Sequence, residues 1–363
     1  MAGPLAGLTI VEMAGLGPGP FAATMLADHG ARVIRVERPG NLAVPNDPLT
    51  RNRESIALDL KQDEGRAVVR RLAERADGLI EGYRPGVMEK LGLGPDVLLP
   101  LNPKLVYGRV TGWGQDGPLA GEAGHDINYL ALTGLLSCIG EPDRPPVPPL
   151  NLVADYGGGG LMLAFGMVAA LLAVQRGEEG QVVDAAMTDG AALTGALIYG
   201  LRAAGAWRDE RGANLLDGGE PLYGCYECAD GQPLALGAIE PQFRQALVNG
   251  LGLSGSPARQ DVAAVVRTRT REEWLAIFAG TDACVTPVLS LAEAPEHPHH
   301  RARGTFIELA GVVQPAPAPR YSRTVTDPPR APRREGQDGG AILTELGFSS
   351  AEAATLRNRG VIR

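Results

Sequence analysis

The sequence predicts an α/β fold: a large domain with a Rossmann-like parallel sheet, plus a smaller α+β domain. Two observations carry this expectation. Strand-like and helix-like segments alternate through the first half of the chain, and after Trp207 the texture changes to short apolar runs punctuated by turn residues. The length, 363 residues, is more than one compact core normally takes and enough for two domains.

The alternation begins with a strand from Leu8 to Met13 and a glycine-rich turn, Gly15-Leu16-Gly17-Pro18-Gly19-Pro20. A helix from Phe21 to His29 and a strand from Ala31 to Glu37 follow. It continues with a helix from Gln62 to Ala76, a strand Gly78-Leu79-Ile80 running into Glu81, a short helix at Val87 to Leu91 and a strand from Leu105 to Val110. Crossovers between such strands are right-handed and lead to parallel pairing. From Gly157 to Gln175 the chain is glycine-rich and then apolar on most faces, which predicts a buried helix. A strand, Gln181 to Met187, then enters a helix near Asp189.

Beyond Trp207, Asp217-Gly218-Gly219 and Asp230-Gly231 separate short apolar runs such as Pro233 to Ile239, as hairpins do. Helices are expected at Pro241 to Leu251 and Arg271 to Ala279. Gln314 to Arg334, rich in proline and arginine, reads as an extended return segment, and a last helix covers Ser350 to Arg359. The expected division is a large domain over 1–200, a small one over 201–310 and a C-terminal segment, 311–363, returning to the large domain.

Composition narrows the function classes. Hydrophobic residues make up 44% and charged residues 21%, and no uninterrupted apolar run reaches the roughly 18 residues that span a bilayer. No membrane role is expected. The start, Met1-Ala2-Gly3-Pro4-Leu5, has neither a basic region nor an apolar one, which makes cytoplasm the expected location. Four cysteines form no disulfide framework, and Cys225-Tyr226-Glu227-Cys228 lacks a second pair at zinc-like spacing. A net charge of −8 argues against nucleic acid as a partner. Pairs such as Arg35 with Arg38, and Arg51 with Arg53, could still hold one phosphorylated small molecule.

Several motifs invite a functional reading. Gly15-x-Gly17-x-Gly19 imitates a dinucleotide fingerprint, but its third glycine falls one residue early, and Pro18 and Pro20 remove amides that would meet a pyrophosphate. His297, His299 and His300 lie around a proline without a metal-ligand pattern and read as a solvated loop. His29 fits a helix C-terminus. His125, in Gly124-His125-Asp126-Ile127-Asn128-Tyr129, and Asp155, in Ala154-Asp155-Tyr156-Gly157, are the candidate proton carriers. Histidine titrates near neutrality, and a carboxylate in a dry pocket can be tuned toward that range. Asp155 also suits the N-cap of the following helix, whose glycines would leave amides open to an anion. Glu240 stands at a strand-to-helix corner.

Taken in order, Gly15 to Phe21, Val36 to Gly40, Tyr83 to Val87, Thr111 to Gln115, Gly124 to Tyr129, Pro149 to Leu152, Gly237 to Phe243 and the tail from Ile342 to Ile362 resemble the class III (CaiB/BaiF-type) CoA-transferase family, in its α-methylacyl-CoA racemase branch. The resemblance runs almost end to end. It implies an isomerase that interconverts R and S 2-methylacyl-CoA thioesters, with no cofactor, working as an interlocked homodimer in lipid metabolism. Inversion there needs a base on each face of the α-carbon and donors for the enolate oxygen.

Carried over by position, His125 and Asp155 are the two bases, and Glu240, reaching across the dimer, orients the histidine. Arg38 contacts the CoA phosphates. Ala57-Leu58-Asp59-Leu60-Lys61 holds the adenosine end, Tyr83 and Arg84 line the diphosphate path, and Gly124, Asp126, Ile127, Asn128 and Tyr129 border the thioester and pantetheine. The transferase branch uses the residue matching Asp155 as a nucleophile and carries a mobile glycine-rich loop. Here that region shows only Asp217-Gly218-Gly219 before Glu220, and His125 is a racemase-branch feature, so proton transfer is favoured.

Overall fold

The computed structural model describes residues 2–40 and 44–363. The chain divides into two compact units, one of residues 1–133, 149–195 and 304–363, the other of 134–148 and 196–303. The smaller unit therefore begins at 196 and ends at 303 rather than at 201 and 310, and it also takes the excursion 134–148, which carries no strand or helix pattern to mark it.

The first unit opens with β1 (Thr9–Met13), α1 (Pro18–Asp28), β2 (Arg32–Glu37), β3 (Arg53–Ala57), α2 (Asp63–Ala73) and β4 (Gly78–Glu81). There follow α3 (Val87–Lys90), α4 (Pro95–Leu101), β5 (Val106–Thr111) and α5 (Asp126–Leu132). A wide, π-type helical segment, Leu152–Leu161, runs directly into α6 (Met162–Gln175), then β6 (Val182–Ala186) and α7 (Met187–Thr194). Six strands pair in the order β3-β2-β1-β4-β5-β6, every neighbouring pair parallel. The near-continuous apolar strands Ile10-Val11, Val33-Ile34 and Leu79-Ile80 are buried on both faces, as a parallel sheet under helices requires.

The second unit contains α8 (Ala196–Ala203), the three-stranded antiparallel sheet of β7 (Tyr223–Glu227), β8 (Pro233–Gly237) and β9 (Val285–Pro287), and the helices α9 (Pro241–Gly250), α10 (Arg259–Val266), α11 (Arg271–Phe278) and α12 (Pro298–Arg303). The β7–β8 turn is made by Asp230-Gly231, with Gly231 at φ 74°. Its core gathers Tyr226, Leu234, Leu247, Val262, Trp274 and Phe278.

The C-terminal segment returns to the first unit through the hairpin β10 (Phe306–Leu309) and β11 (Val312–Pro315), then α13 (Gly339–Glu345) and α14 (Ser350–Asn358). Gln314 Oε1 and the Pro315 carbonyl accept from Arg51, Arg330 N donates to Asn52 Oδ1, and Asp338 Oδ2 accepts from Ser55 N. The tail ends beside the exit of β3, with Leu58 bridging Ile362.

Three expectations need correction. The helix expected to be buried is amphipathic in its setting: Leu163, Ala164 and Met167 pack inward, whereas Leu161, Phe165 (73% exposed) and Leu172 face outward. One face meets β5, β6 and α1, and Phe165, Val168 and Leu172 on the rest of the helix surface are exposed. Together, Leu152–Gln175 is 24 residues long and holds an 18-residue stretch of mean hydropathy 2.0, enough to cross a membrane by length and composition, although Asp155 and five glycines interrupt the apolar run.

Arginines 35, 51 and 53 are not free to clamp a phosphate. Glu12, fully buried, takes both Arg35 at 2.5 Å and Arg53 at 2.9 Å, and Arg51 pairs with Asp28 at 2.5 Å. Buried guanidinium groups persist only where carboxylates compensate them, and here they do. Lastly, Asp155 is not an N-cap: the helix begins three residues earlier, with Asn151 in the cap position.

Candidate active site

Strand order reverses between β1 and β4, and in such sheets the crevice for a ligand lies beyond the carboxyl ends of those two strands. The segments that arrive there are Gly15-Leu16-Gly17 after β1 and Gly82-Tyr83-Arg84 after β4. Gly17, at φ 68°, caps α1, and Pro18 opens the helix where an amide would have no partner anyway. A cavity of about 490 Å³ is lined by Gly15 to Gly17 on one side and by Glu37, Arg53 and Arg334 on others. Gly17 also faces Asp155, whose Oδ2 lies 3.7 Å from where a Cβ on that glycine would stand. One glycine thus separates the cavity from the candidate base.

The glycines after Asp155 explain how a helix comes so close. A Cβ at Gly158 would lie 2.5 Å from Ala191 N, one at Gly159 2.8 Å from the Met187 side chain, and one at Gly160 2.6 Å from the Phe21 ring. The segment can therefore lie pressed between α1 and α7 only without side chains at these positions. The wide turn follows from the same run, with Tyr156 N bonding the Asn151 carbonyl five residues back at 3.3 Å.

Two amides at the start of this segment, ahead of the glycines, are occupied. Asp126 Oδ2 accepts from Ala154 N at 2.7 Å and from Asp155 N at 2.8 Å. Burial pushes the Asp155 carboxyl above its ordinary range, the Asp126 charge adds to this, and a hydrogen bond from Asn151 and the nearby His125 pull the other way.

His125 is exposed and is the N-cap of α5, in extended backbone, with its amide donating to Asn128 Oδ1 at 3.1 Å. Ile127 is exposed beside it, and Asp126 is 4% exposed. Tyr129 locks the turn: its hydroxyl donates to the Gly124 carbonyl, and its ring meets Trp113 edge-on at 4.8 Å. A Cβ at Gly112 would fall 2.1 Å from that ring, so this glycine makes the room. Burial, then the Asp155 charge, raise the Tyr129 hydroxyl, while Arg84 lowers it. His125, Asp126, Tyr129, Arg84 and Asp155 thus form one electrostatic neighbourhood.

The other expected residues are placed elsewhere. Arg38 and Lys61 are exposed, and both act on Asp59, whose carboxylate sits below its ordinary range chiefly because it accepts from Gln62 and from Lys61 N. Ala57 and Leu58 have no exposure, and their backbone is committed: Leu58 N donates to the Glu37 carbonyl and the Ala57 carbonyl accepts from Arg363 N. Of this segment only Asp59, Leu60 and Lys61 reach the surface. The Tyr83 hydroxyl donates to the Ala14 carbonyl at 3.1 Å, its amide to Glu81 Oε2 at 2.7 Å. Glu81, buried, also holds Arg109 at 2.7 Å and so fixes the exit of β4. Glu240, in the second unit, is exposed, caps α9 ahead of Pro241 and uses no side-chain atom to do so.

Reasoning from the residues passed over Gly17, Glu81 and Asn151. Gly17 and Asn151 stood inside motifs carrying the resemblance, but only the fold shows that both adjoin Asp155. Among the described residues no cluster of histidine, cysteine, aspartate or glutamate is arranged to hold a metal.

A family model described as CoA-transferase family III matches residues 5–339. The chain is 46% identical to the mouse protein "Alpha-methylacyl-CoA racemase" over 99% of this chain and 97% of that one. It is 30% identical to the Acetobacter aceti "Acetyl-CoA:oxalate CoA-transferase", over 97% of each. Among solved structures, a CAIB/BAIF family protein from Brucella suis superposes with a TM-score of 0.81 at 28% identity, covering 95% of this chain and all of that one.

Proposed function

This chain belongs to CoA-transferase family III, and from that membership we propose that it interconverts R and S 2-methylacyl-CoA thioesters by moving the α-proton. The observation that carries the reading is the pairing of His125 and Asp155 in one neighbourhood, the aspartate held above its ordinary range where it serves better as a base. Identity of 46% to a racemase, against 30% to an oxalate CoA-transferase, supports it.

In this reading one base removes the α-proton and the other returns a proton to the opposite face, through an enolate. The amides of Asp126 and Ile127, directly after His125 and ahead of the Asn128 and Tyr129 amides that bond the His125 carbonyl, supply donors for the enolate oxygen, since the start of a helix leaves amides unpaired within it. Glu240 of a partner subunit orients the imidazole in a homodimer. Arg38, Lys61 and Arg84 take the phosphates of CoA, and the crevice beside Gly15 to Gly17 takes part of its length. No metal or redox cofactor is assigned, because proton transfer needs only these groups. The proposed setting is the cytoplasm.

The test is to incubate each enantiomer of a 2-methylacyl-CoA with the protein in deuterated buffer, following α-deuterium uptake and configuration. A parallel tube contains a free carboxylic acid as acceptor. Uptake with loss of configuration, independent of acceptor, is expected. No uptake would overturn the reading. A new thioester formed only with acceptor would replace it with acyl transfer, Asp155 acting as nucleophile.

A further inference from the structure

We propose that the Asp126 carboxylate is a positioning residue that sets both the place and the basicity of Asp155, instead of a ligand for the substrate. This rests on the reading of Asp155 as a base. The geometry is specific. Asp126 follows His125 directly as the first residue of α5, and its side chain reaches across 29 residues of sequence to hold the Asp155 amide at 2.8 Å, together with the neighbouring Ala154 amide at 2.7 Å. One oxygen, Oδ2, makes both bonds. Oδ1 is buried without a partner among the described residues.

A wide helix needs such an acceptor more than an ordinary one. Its bonds run from residue i to i−5, so its first five amides lack partners within the segment, and the earliest internal bond here is Tyr156 N to the Asn151 carbonyl. Asp126 supplies what the local chain cannot, and a carboxylate at that end also meets the favourable end of the helix dipole. Because the same residue is covalently next to His125, its reach fixes how far apart the two candidate bases stand.

The carboxylate also brings a negative charge, and its second oxygen accepts no hydrogen bond among the described residues. Among the described residues, the groups acting on the Asp155 carboxyl are Asp126, Asn151 and His125, with Tyr129 beside it. Of the other elements packed on the segment, α7 carries Asp189 and β6 Asp184, which act on each other, β5 carries Arg109, spent on Glu81 and Glu89, and α1 carries Asp28, paired with Arg51; α6 carries no charge, and none of these groups acts on Asp155. Burial comes first in holding Asp155 protonated to higher pH, and Asp126 is the charged group that adds to it.

The experiment measures α-deuterium uptake from each enantiomer against pH for the whole protein and for Asp126→Asn, Asp126→Ala and Asp126→Glu. The enantiomer served by Asp155 is the one whose uptake Asp155→Asn suppresses more. Asparagine keeps an acceptor and the volume but not the charge. For that enantiomer its acid limb should move down by about one pH unit, KM for the acyl-CoA staying within about twofold. Alanine, with neither acceptor nor charge, should lower kcat roughly 100-fold, again with little change in KM. Glutamate, one methylene longer, should restore less than asparagine does.

An acid limb that stays put in Asp126→Asn would overturn the inference, as would a rise in KM without loss of kcat, which would make Asp126 a substrate contact. If Asp126→Ala lowers thermal stability and leaves the per-molecule rate intact, the residue is only a helix cap and the inference falls. Absence of uptake from the unaltered protein would instead overturn the racemase reading.

Discussion

Around Asp155 the backbone is packed so tightly that Gly158, Gly159 and Gly160 have no space for a methyl group, whereas Arg38 and Lys61, at the ends of β2 and β3, stand exposed beside loops. The first region is defined by contacts: glycines against α1 and α7, two amides on Asp126, Tyr129 wedged beside Gly112. The second is defined by charge, on an anchor made by the C-terminal tail through Leu58 and Ile362. Proton transfer to carbon demands placement within fractions of an ångström, because a base must meet one proton along one line. Holding a phosphate demands only positive charge within reach, which flexible side chains provide.

If the contrast is right, substitutions in the two regions should fail differently. His125→Ala and Asp155→Asn should each reduce racemisation by about 10³-fold, each affecting uptake from one enantiomer more than the other, as proton NMR in deuterated buffer would record. Equal small losses would end the two-base scheme. Gly158→Ala should come next. Its methyl would meet the Ala191 amide and the Met187 carbonyl, both backbone, so we expect a loss of about 2 to 3 kcal/mol in chemical denaturation and reduced racemisation in the protein that folds. An unchanged midpoint would mean that the segment yields.

Arg38→Ala with Lys61→Ala should raise KM about tenfold at low salt with kcat unchanged, the difference shrinking at 0.5 M salt because exposed charges are screened. A fall in kcat would show that this end also aligns the reacting carbon. Asp155→Asn also has a stability signature. The folded carboxyl is raised above its unfolded value, so its contribution is fully present below the unfolded pKa, near 4, and is lost as pH rises through the folded one. The asparagine variant should therefore melt higher than the parent at pH 7, with the gap closing in acid; a gap that grows in acid would contradict it. Tyr83→Phe is the mildest. It removes the bond to the Ala14 carbonyl at a cost of about 1 kcal/mol in the melting transition, and KM should not change if the hydroxyl is occupied as seen.

The alternation of apolar strands and helices from Leu8 to Met187 was legible in the sequence because a parallel sheet needs strands apolar on both faces, and glycine or proline marks the turns between them. The motifs carrying the family resemblance were legible for the same reason: their glycines, prolines and charges are local. β3 was missed because Arg53-Glu54-Ser55 looks like a loop, and only the pairing of Arg53 with Glu12 inside the sheet makes it a strand. The excursion 134–148 was missed because where a segment packs depends on partners distant in sequence.

Residue identity alone named the candidate proton carriers, since His125 and Asp155 have that chemistry wherever they stand. What they do depends on neighbours that sequence spacing does not reveal. Whether Asp155 caps a helix or lies inside one, whether Arg35 and Arg53 are open to a ligand or spent on Glu12, and whether Asp126 faces substrate or holds two amides were decided by packing. The reason is physical: burial, amide supply and the sum of nearby charges are properties of a place in the fold, and in this chain those places join Asp155 to Asp126, 29 residues away, to Gly17, much farther, and β3 to the C-terminal tail.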